Sequence, residues 1–191
     1  MNNKITYSDV TAEVHLNRLK ENLAHCWVAA QLLARLQNLK KYNEYKMLTS
    51  RVIADALTDN IIMTMARLWD MGPPNKDCLS IPNLKGRTNL KGRNGLKLTE
   101  EQESRLDCLR TEEIVKTASA LRHSFVAHSL ATPKKGANKE MRGDDIQSFI
   151  ERCHSLLSDV QSSNFGCALG WGNFDEELEK WETLIREVEF R

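Results

Sequence analysis

The sequence contains no run of apolar residues long enough to span a membrane. Its longest uncharged apolar stretch covers only residues 60–66, whereas a transmembrane helix needs roughly 20 such residues. Residues 1–6 also lack the apolar centre of a secretory signal peptide. We therefore expect a soluble cytoplasmic protein without a membrane partner.

The sequence also lacks the cysteine and glycine patterns of several site classes. Its five cysteines are odd in number, lie far apart and form no Cys-x-x-Cys pair, which excludes a disulfide framework and a zinc site. We expect reduced thiols, mostly buried, and neither a metal nor another cofactor. A Gly-rich phosphate loop, a Gly-x-Ser-x-Gly elbow and a His-Glu-x-x-His pair are all missing, so nucleotide-dependent, serine-hydrolase and zinc-protease chemistry have no support.

Aromatic residues make up only 6% of the chain, and no segment alternates apolar and polar residues as a strand would. Helical spacing recurs in five places instead, and 191 residues suit one domain covering residues 1–191. The sequence therefore predicts an all-α fold, an antiparallel helical bundle of about five helices.

The predicted helices follow from apolar spacing and capping residues. The first begins near Ser8 or Asp9, the second near Thr49, and the third opens with the Thr99–Gln102 capping-box pattern and runs to about Ser129 with a break near Thr111. The fourth begins at Asp144 and the fifth at Asn173. Three helices have clear core stripes. In the first helix the stripe is Leu16, Leu19, Leu23, Trp27, Ala30 and Leu33; in the second it is Val52, Ile53, Ala56, Leu57, Ile61, Met65, Leu68 and Trp69. In the fourth it is Ile146, Phe149, Ile150, Cys153, Leu156, Leu157 and Val160.

The formal net charge of +1 hides an uneven distribution. Residues 72–98 carry six basic side chains against one acid, a net +5, whereas residues 175–191 have a net −4. The first segment is rich in Gly and Pro and is predicted to be a long, mobile basic loop between helices two and three. Such charge runs are typical of solvated surfaces as well as of binding sites.

Residues 121–130 read LRHSFVAHSL, so Arg122 is followed directly by His123 and, after five intervening residues, by His128. This pattern resembles the signature of the HEPN superfamily, small helical bundles in which an Arg precedes a His by this spacing with a polar residue after the Arg. The Arg67-Leu68-Trp69-Asp70 end of the second helix is similar to HEPN proteins of bacterial abortive-infection and toxin–antitoxin systems. The spacing also occurs at Arg18 and His25, but apolar Leu19 follows that Arg, so we interpret it as a chance match.

The resemblance implies a metal-independent endoribonuclease that leaves a 2′,3′-cyclic phosphate and a 5′-hydroxyl. A His transfers protons near neutral pH, and an Arg holds phosphate oxygens. We assign His128 as general acid/base and Arg122 as phosphate clamp, with His123 as an orienting group or second proton carrier. The basic residues expected to bind RNA are Arg87, Lys91, Arg93, Lys134 and Lys135.

An ideal helix separates Arg122 from His128 by about 120° around its axis and about 9 Å along it, so the two side chains do not share one face. Either the helix ends near His128, or a second subunit brings its own motif alongside. The family implies a homodimer with a composite cleft. A cognate antitoxin or regulatory protein is a further candidate partner, although Leu130 replaces the Tyr that permits silencing by nucleotide transfer.

Two other interpretations stay open. His128 caps helix carbonyls and Arg122 pairs with an acid such as Asp59 or Asp70, in which case both residues are structural. The second alternative is that the whole protein is a non-catalytic HEPN-like helical module that binds RNA, nucleotide or a protein partner.

Overall fold

The computed structural model describes residues 12–38, 44–70, 80–85, 96–123 and 143–167, and positions 170, 176, 179, 180 and 183. The helices in these residues are α1 (Ala12–Asn38), α2 (Glu44–Trp69), α3 (Glu100–Thr111), α4 (Glu113–Leu121) and α5 (Gly143–Phe165), with a short 3-10 helix at Pro82–Lys85. The described part of the chain has no β-strand, which confirms the predicted all-α fold.

Helix α1 packs against both α2 and α5. Gly143, at the start of α5, lies against Ala30 and Ala34 of α1, whereas Glu151, further along α5, accepts a hydrogen bond from the earlier Trp27 at 3.4 Å. Later residues of α5 therefore contact earlier residues of α1, which means that the two helices run antiparallel. Helix α3 packs along α5, and α4 packs on α2.

The core consists mainly of the apolar stripes predicted for α1, α2 and α5. The predicted α5 stripe is fully buried, as are Leu16, Leu19 and Leu23 on α1. The prediction is wrong at Val52, which is 60% exposed, and at Ala56, which is also exposed. Among the side chains of α2 that the structure describes, the buried ones lie between Ile61 and Trp69, whereas Ala54 and Leu57 are only partly buried against the core. None of the helices described is both long and apolar enough to cross a membrane.

The capping signals of the third helical region are present. Gln102 N–H donates to Thr99 Oγ1 at 3.2 Å, and Thr99 N–H donates to Gln102 Oε1 at 3.0 Å. The predicted break near Thr111 is also confirmed, because Glu112 is extended (φ −62°, ψ 147°) and separates α3 from α4. One residue thus ends one helix and begins the next.

Several predicted boundaries differ from the structure. Helix α2 begins at Glu44, five positions before Thr49 in the sequence; no Gly or Pro lies between, so the capping signal at Thr49 does not prevent helix propagation. Ser8 and Asp9 lie outside the described residues, as does most of the predicted last helix. Glu176, Glu179, Lys180 and Thr183 of that last segment are helical, as predicted.

The predicted mobile loop is held to the bundle at two described points. Ile81 and Leu84 are buried in the core, and Ile81 N–H donates to Leu68 O at 2.8 Å. Further along, Lys97 N–H donates to Asn164 Oδ1 at 2.8 Å. The prediction of a mobile loop is therefore wrong for these stretches. Leu84 gains free energy by burial although its segment is rich in Lys and Gly.

Candidate active site

Helix α4 places Arg122 at the edge of the bundle. Leu121 is buried against Ile62 of α2, and this contact fixes the end of α4 on the side of α2. Arg122 follows with helical backbone angles (φ −52°, ψ −49°), and its N–H donates to the carbonyls of Ala118 and Ser119. The backbone of Arg122 is therefore held by the helix while its side chain is 37% exposed.

The guanidinium of Arg122 forms an ion pair with Asp70, the residue that follows α2. Its Nη1 lies 3.4 Å from Asp70 Oδ2, and the Asp70 side chain is 43% exposed. Charge-assisted hydrogen bonds are usually 2.7–2.9 Å long, so this contact is loose. Of the two acids that the sequence offered to Arg122, the structure selects Asp70, and Asp59 lies exposed on α2.

His123 follows Arg122 and is exposed. Arg122 and His123 have π-helical character at the end of α4, a local widening that occurs frequently at functional sites. The structure thus brings Arg122 and Asp70 together, and His123, the next residue after Arg122, is exposed.

The remaining predicted site residues lie outside the described residues. His128, the proposed general acid/base, is one of them. So are the residues predicted to bind RNA: Arg87, Lys91, Arg93, Lys134 and Lys135. Their roles stay predictions.

A second ion pair fixes the opposite end of α4. Arg152 of α5 donates to both carboxylate oxygens of Glu112, with Nη2 2.8 Å from Oε2. The Arg152 guanidinium also lies 5.6 Å from the Phe149 ring centre, and Phe149 packs on Trp69 at 5.8 Å. Trp69 directly precedes Asp70, which pairs with Arg122 at the end of α4. The contacts of Arg152, Phe149 and Trp69 therefore connect the start of α4 with its end. Sequence reasoning missed Arg152, since a pair between distant helices leaves no local pattern.

Three described groups on α1 and α5 have shifted pKa values: Cys26 and Cys153, which are buried in the core, and the partly buried His154. Burial raises the pKa of Cys26 from 9.0 to about 12. Burial, followed by the Glu112 carboxylate, raises the pKa of Cys153 well above 9.0. Burial, followed by Lys20, lowers the pKa of His154 below 6.5. Both buried thiols are therefore protonated at neutral pH and poor nucleophiles.

The prediction that the cysteines are mostly buried is correct for half of the four described. Cys26 and Cys153 are buried, whereas Cys108 and Cys167 are exposed, and all four are free thiols. Within the described residues, no group of three or more His, Cys, Asp or Glu side chains is arranged to hold a metal ion.

An all-α bundle with an Arg-His pair at the end of a docked helix has the features of a HEPN-type protein. A family model of this type, HEPN_AbiU2, described as AbiU2, matches residues 12–184. The chain belongs to this abortive-infection family. Searches of curated proteins and of solved structures found no match.

Proposed function

We propose that this protein is a metal-independent endoribonuclease of bacterial phage defence or of toxin–antitoxin type. The observation that carries the proposal is the placement of Arg122: its backbone is fixed by α4, its guanidinium is partly exposed, and its only described partner is the loosely held Asp70. A cation fixed in this way is suited to an incoming phosphate. Membership of an abortive-infection family supports the same function.

The proposed reaction is attack of an RNA 2′-oxygen on the adjacent phosphorus. A base removes the 2′-hydroxyl proton, the new O–P bond closes a 2′,3′-cyclic phosphate, and the P–O5′ bond breaks. An acid returns a proton to the leaving 5′-oxygen, so a 5′-hydroxyl is released. We assign the proton transfers to His128, with His123 as second carrier, and the stabilisation of the phosphorane charge to Arg122.

We further propose that two copies of the chain form the working site. One protomer supplies Arg122 and His123 from the end of α4, and the other brings the same surface alongside, so that protons are exchanged across a shared cleft. Arg87, Lys91, Arg93, Lys134 and Lys135 are proposed to flank this cleft and bind the RNA backbone. An antitoxin or regulatory protein is a proposed further partner.

The test compares wild type with His128→Ala and Arg122→Ala on a structured RNA in the presence of EDTA. Loss of the general acid/base is expected to slow cleavage by about 10²–10⁴-fold, and loss of the Arg by about 10²–10³-fold. The products of the wild type are checked for 2′,3′-cyclic phosphate ends. Light scattering measures the oligomeric state of each variant.

The chain contains its own matched control in Arg18 and His25, which have a similar Arg-to-His spacing and are exposed on α1. Arg18→Ala and His25→Ala are expected to cleave RNA like the wild type. Equal cleavage by His128→Ala and wild type contradicts the assignment. Absence of cleavage by the wild type, combined with unchanged partner binding after both site substitutions, indicates the non-catalytic binding module instead. A strict monomer contradicts the composite site.

A further inference from the structure

A second arginine lies beside the Arg122–Asp70 pair. Arg67 is in the last turn of α2, three residues before Asp70. Asp70 N–H donates to Arg67 O at 3.4 Å, so the helical turn continues through Asp70 beyond the last residue of α2. Side chains three residues apart on a helix are neighbours, with Cβ atoms about 5–6 Å apart. Asp70 therefore contacts Arg122, and the helical spacing makes Arg67 of α2 its neighbour along the chain.

Arg67, Asp70 and Arg122 together have a surplus of positive charge. Arg67 is exposed, and no acid among the described residues forms an ion pair with it. Two guanidinium groups thus accompany a single carboxylate, which gives the trio a formal charge of +1. Because Asp70 is partly exposed, an anion from solvent can approach both arginines.

The contact between Arg122 and Asp70 suits a carboxylate that orients the arginine without saturating it. At 3.4 Å, Nη1 reaches a single carboxylate oxygen, whereas a phosphate offers two oxygens to one guanidinium in parallel bonds. The carboxylate holds the Arg122 guanidinium at the end of α2, where Arg67 is in the last turn. Entry of a phosphate then gains the second guanidinium as well.

We propose that Arg67 and Arg122 form a two-arginine site for an RNA backbone phosphate, with Asp70 as the positioning residue that holds Arg122 toward it. This inference rests on the proposed ribonuclease function and adds to it a contact between Arg67 and the RNA backbone. A purely structural explanation of Arg67 is that its charge complements the carbonyl end of the α2 dipole. The two explanations predict different behaviour.

The binding test uses a fluorescein-labelled single-stranded 2′-O-methyl RNA, which lacks the attacking hydroxyl and is not cleaved. Anisotropy titrations between about 50 and 200 mM salt give the slope of log K against log salt, which is about −0.7 per neutralised phosphate on single strands. For Arg67→Ala we expect weaker binding and a slope shallower by about one phosphate contact. Arg67→Lys keeps the charge and is expected to retain the wild-type slope.

Arg110 provides the matched control, because it is an exposed arginine in the last turn of α3. It shares the dipole position of Arg67 but lies on a different helix end. Arg110→Ala is expected to bind the 2′-O-methyl RNA like the wild type. If Arg67→Ala and Arg110→Ala have equal affinity and slope, the two-arginine site is wrong. A fall in melting temperature of Arg67→Ala alone, with an unchanged slope, likewise assigns Arg67 a structural role.

The positioning role of Asp70 is tested with Asp70→Asn. Removing the carboxylate charge is expected to tighten binding of the 2′-O-methyl RNA, because the carboxylate that competes for Arg122 is lost, and to lower kcat for cleavable RNA, because Arg122 is no longer oriented. An unchanged kcat overturns the positioning role. Wild-type protein that neither binds nor cleaves RNA refutes the proposed function itself, whereas wild-type cleavage with unaltered Arg67→Ala binding refutes only this inference.

Discussion

Arg122 and Asp70 join the ends of α4 and α2 through one ion pair, with Nη1 3.4 Å from Oδ2. Both side chains are more than one-third exposed. Water therefore weakens their attraction, and exposed pairs of this kind usually contribute about 0.2–1 kcal/mol. The pair orients Arg122 more than it stabilises the bundle.

We accordingly expect Arg122→Ala and Asp70→Ala each to lower the free energy of unfolding by less than about 1 kcal/mol, with a small coupling energy between them. Denaturant unfolding of the two single variants and the double variant measures this coupling. A loss above about 2 kcal/mol for either single variant would show that the pair is a structural anchor. The same samples show whether loss of RNA cleavage occurs in folded protein.

Gly143 permits close contact between α5 and α1. A Cβ at this position would lie 2.9 Å from Ala34 Cβ and 3.0 Å from Ala30 O, and overpacking of this kind costs about 1–3 kcal/mol. Gly143→Ala should therefore destabilise the protein, although alanine favours helices. Ser148→Ala, at an exposed position of α5, is the control and should change stability little. Thermal and denaturant unfolding provide the measurement, and a stabilised Gly143→Ala would contradict the close approach.

The capping box at Thr99 should account for about 1 kcal/mol of stability. Thr99→Ala removes the oxygen that accepts the Gln102 N–H at 3.2 Å, whereas Thr99→Ser retains it. We expect the first variant to unfold at lower denaturant concentration and the second to resemble the wild type. Ser104→Ala, an exposed change within α3, controls for side-chain truncation. Equal stability of the alanine and serine variants at Thr99 would rule out the cap.

The thiols should differ sharply in reactivity. In a Cys78→Ser background, which removes the cysteine outside the described residues, a disulfide reagent at pH 8 should label Cys108 and Cys167 rapidly and Cys26 and Cys153 only after unfolding. Mass spectrometry of the labelled peptides identifies the sites. Rapid labelling of Cys153 in native protein would show that the α1–α5 contact opens readily.

The raised pKa of Cys26 also predicts alkaline destabilisation. Between its ordinary value of 9.0 and about 12, the unfolded thiol loses its proton while the folded thiol keeps it. The folded state then binds more protons, so stability falls as pH rises, by up to about 1.4 kcal/mol per pH unit for one group. Unfolding between pH 8 and pH 10.5 should have a steeper pH dependence in wild type than in Cys26→Ala. Parallel curves would contradict the shift.

Local sequence signals predicted the elements that depend on a few neighbouring residues. The Thr99–Gln102 box, the break at Thr111 and the α5 stripe are encoded within one or two helical turns, and the structure contains each of them. The packing of Ile81 depends on which surfaces meet, and the sequence does not encode that locally. Such tertiary contacts override weak propensities.

The candidate site divides in the same way. The Arg122 motif and the candidate partner Asp70 could be named from the sequence, but Asp59 was an equal alternative until the helices were placed. Asp70 lies eleven positions after Asp59, about 16 Å further along the axis of α2, so only three-dimensional packing distinguishes them. Arg152 and Glu112 are 40 positions apart and left no signal.

The extended residue Glu112 makes α4 a separate helix of nine residues. A helix this short does not persist alone in water, so α4 exists only while it is docked on α2 and held by Arg152. Its opening needs less free energy than global unfolding, and amide hydrogens of α4 should exchange before those of α1 and α5. The segment that holds Arg122 is thus a point at which the protein can lose its site while the bundle stays intact.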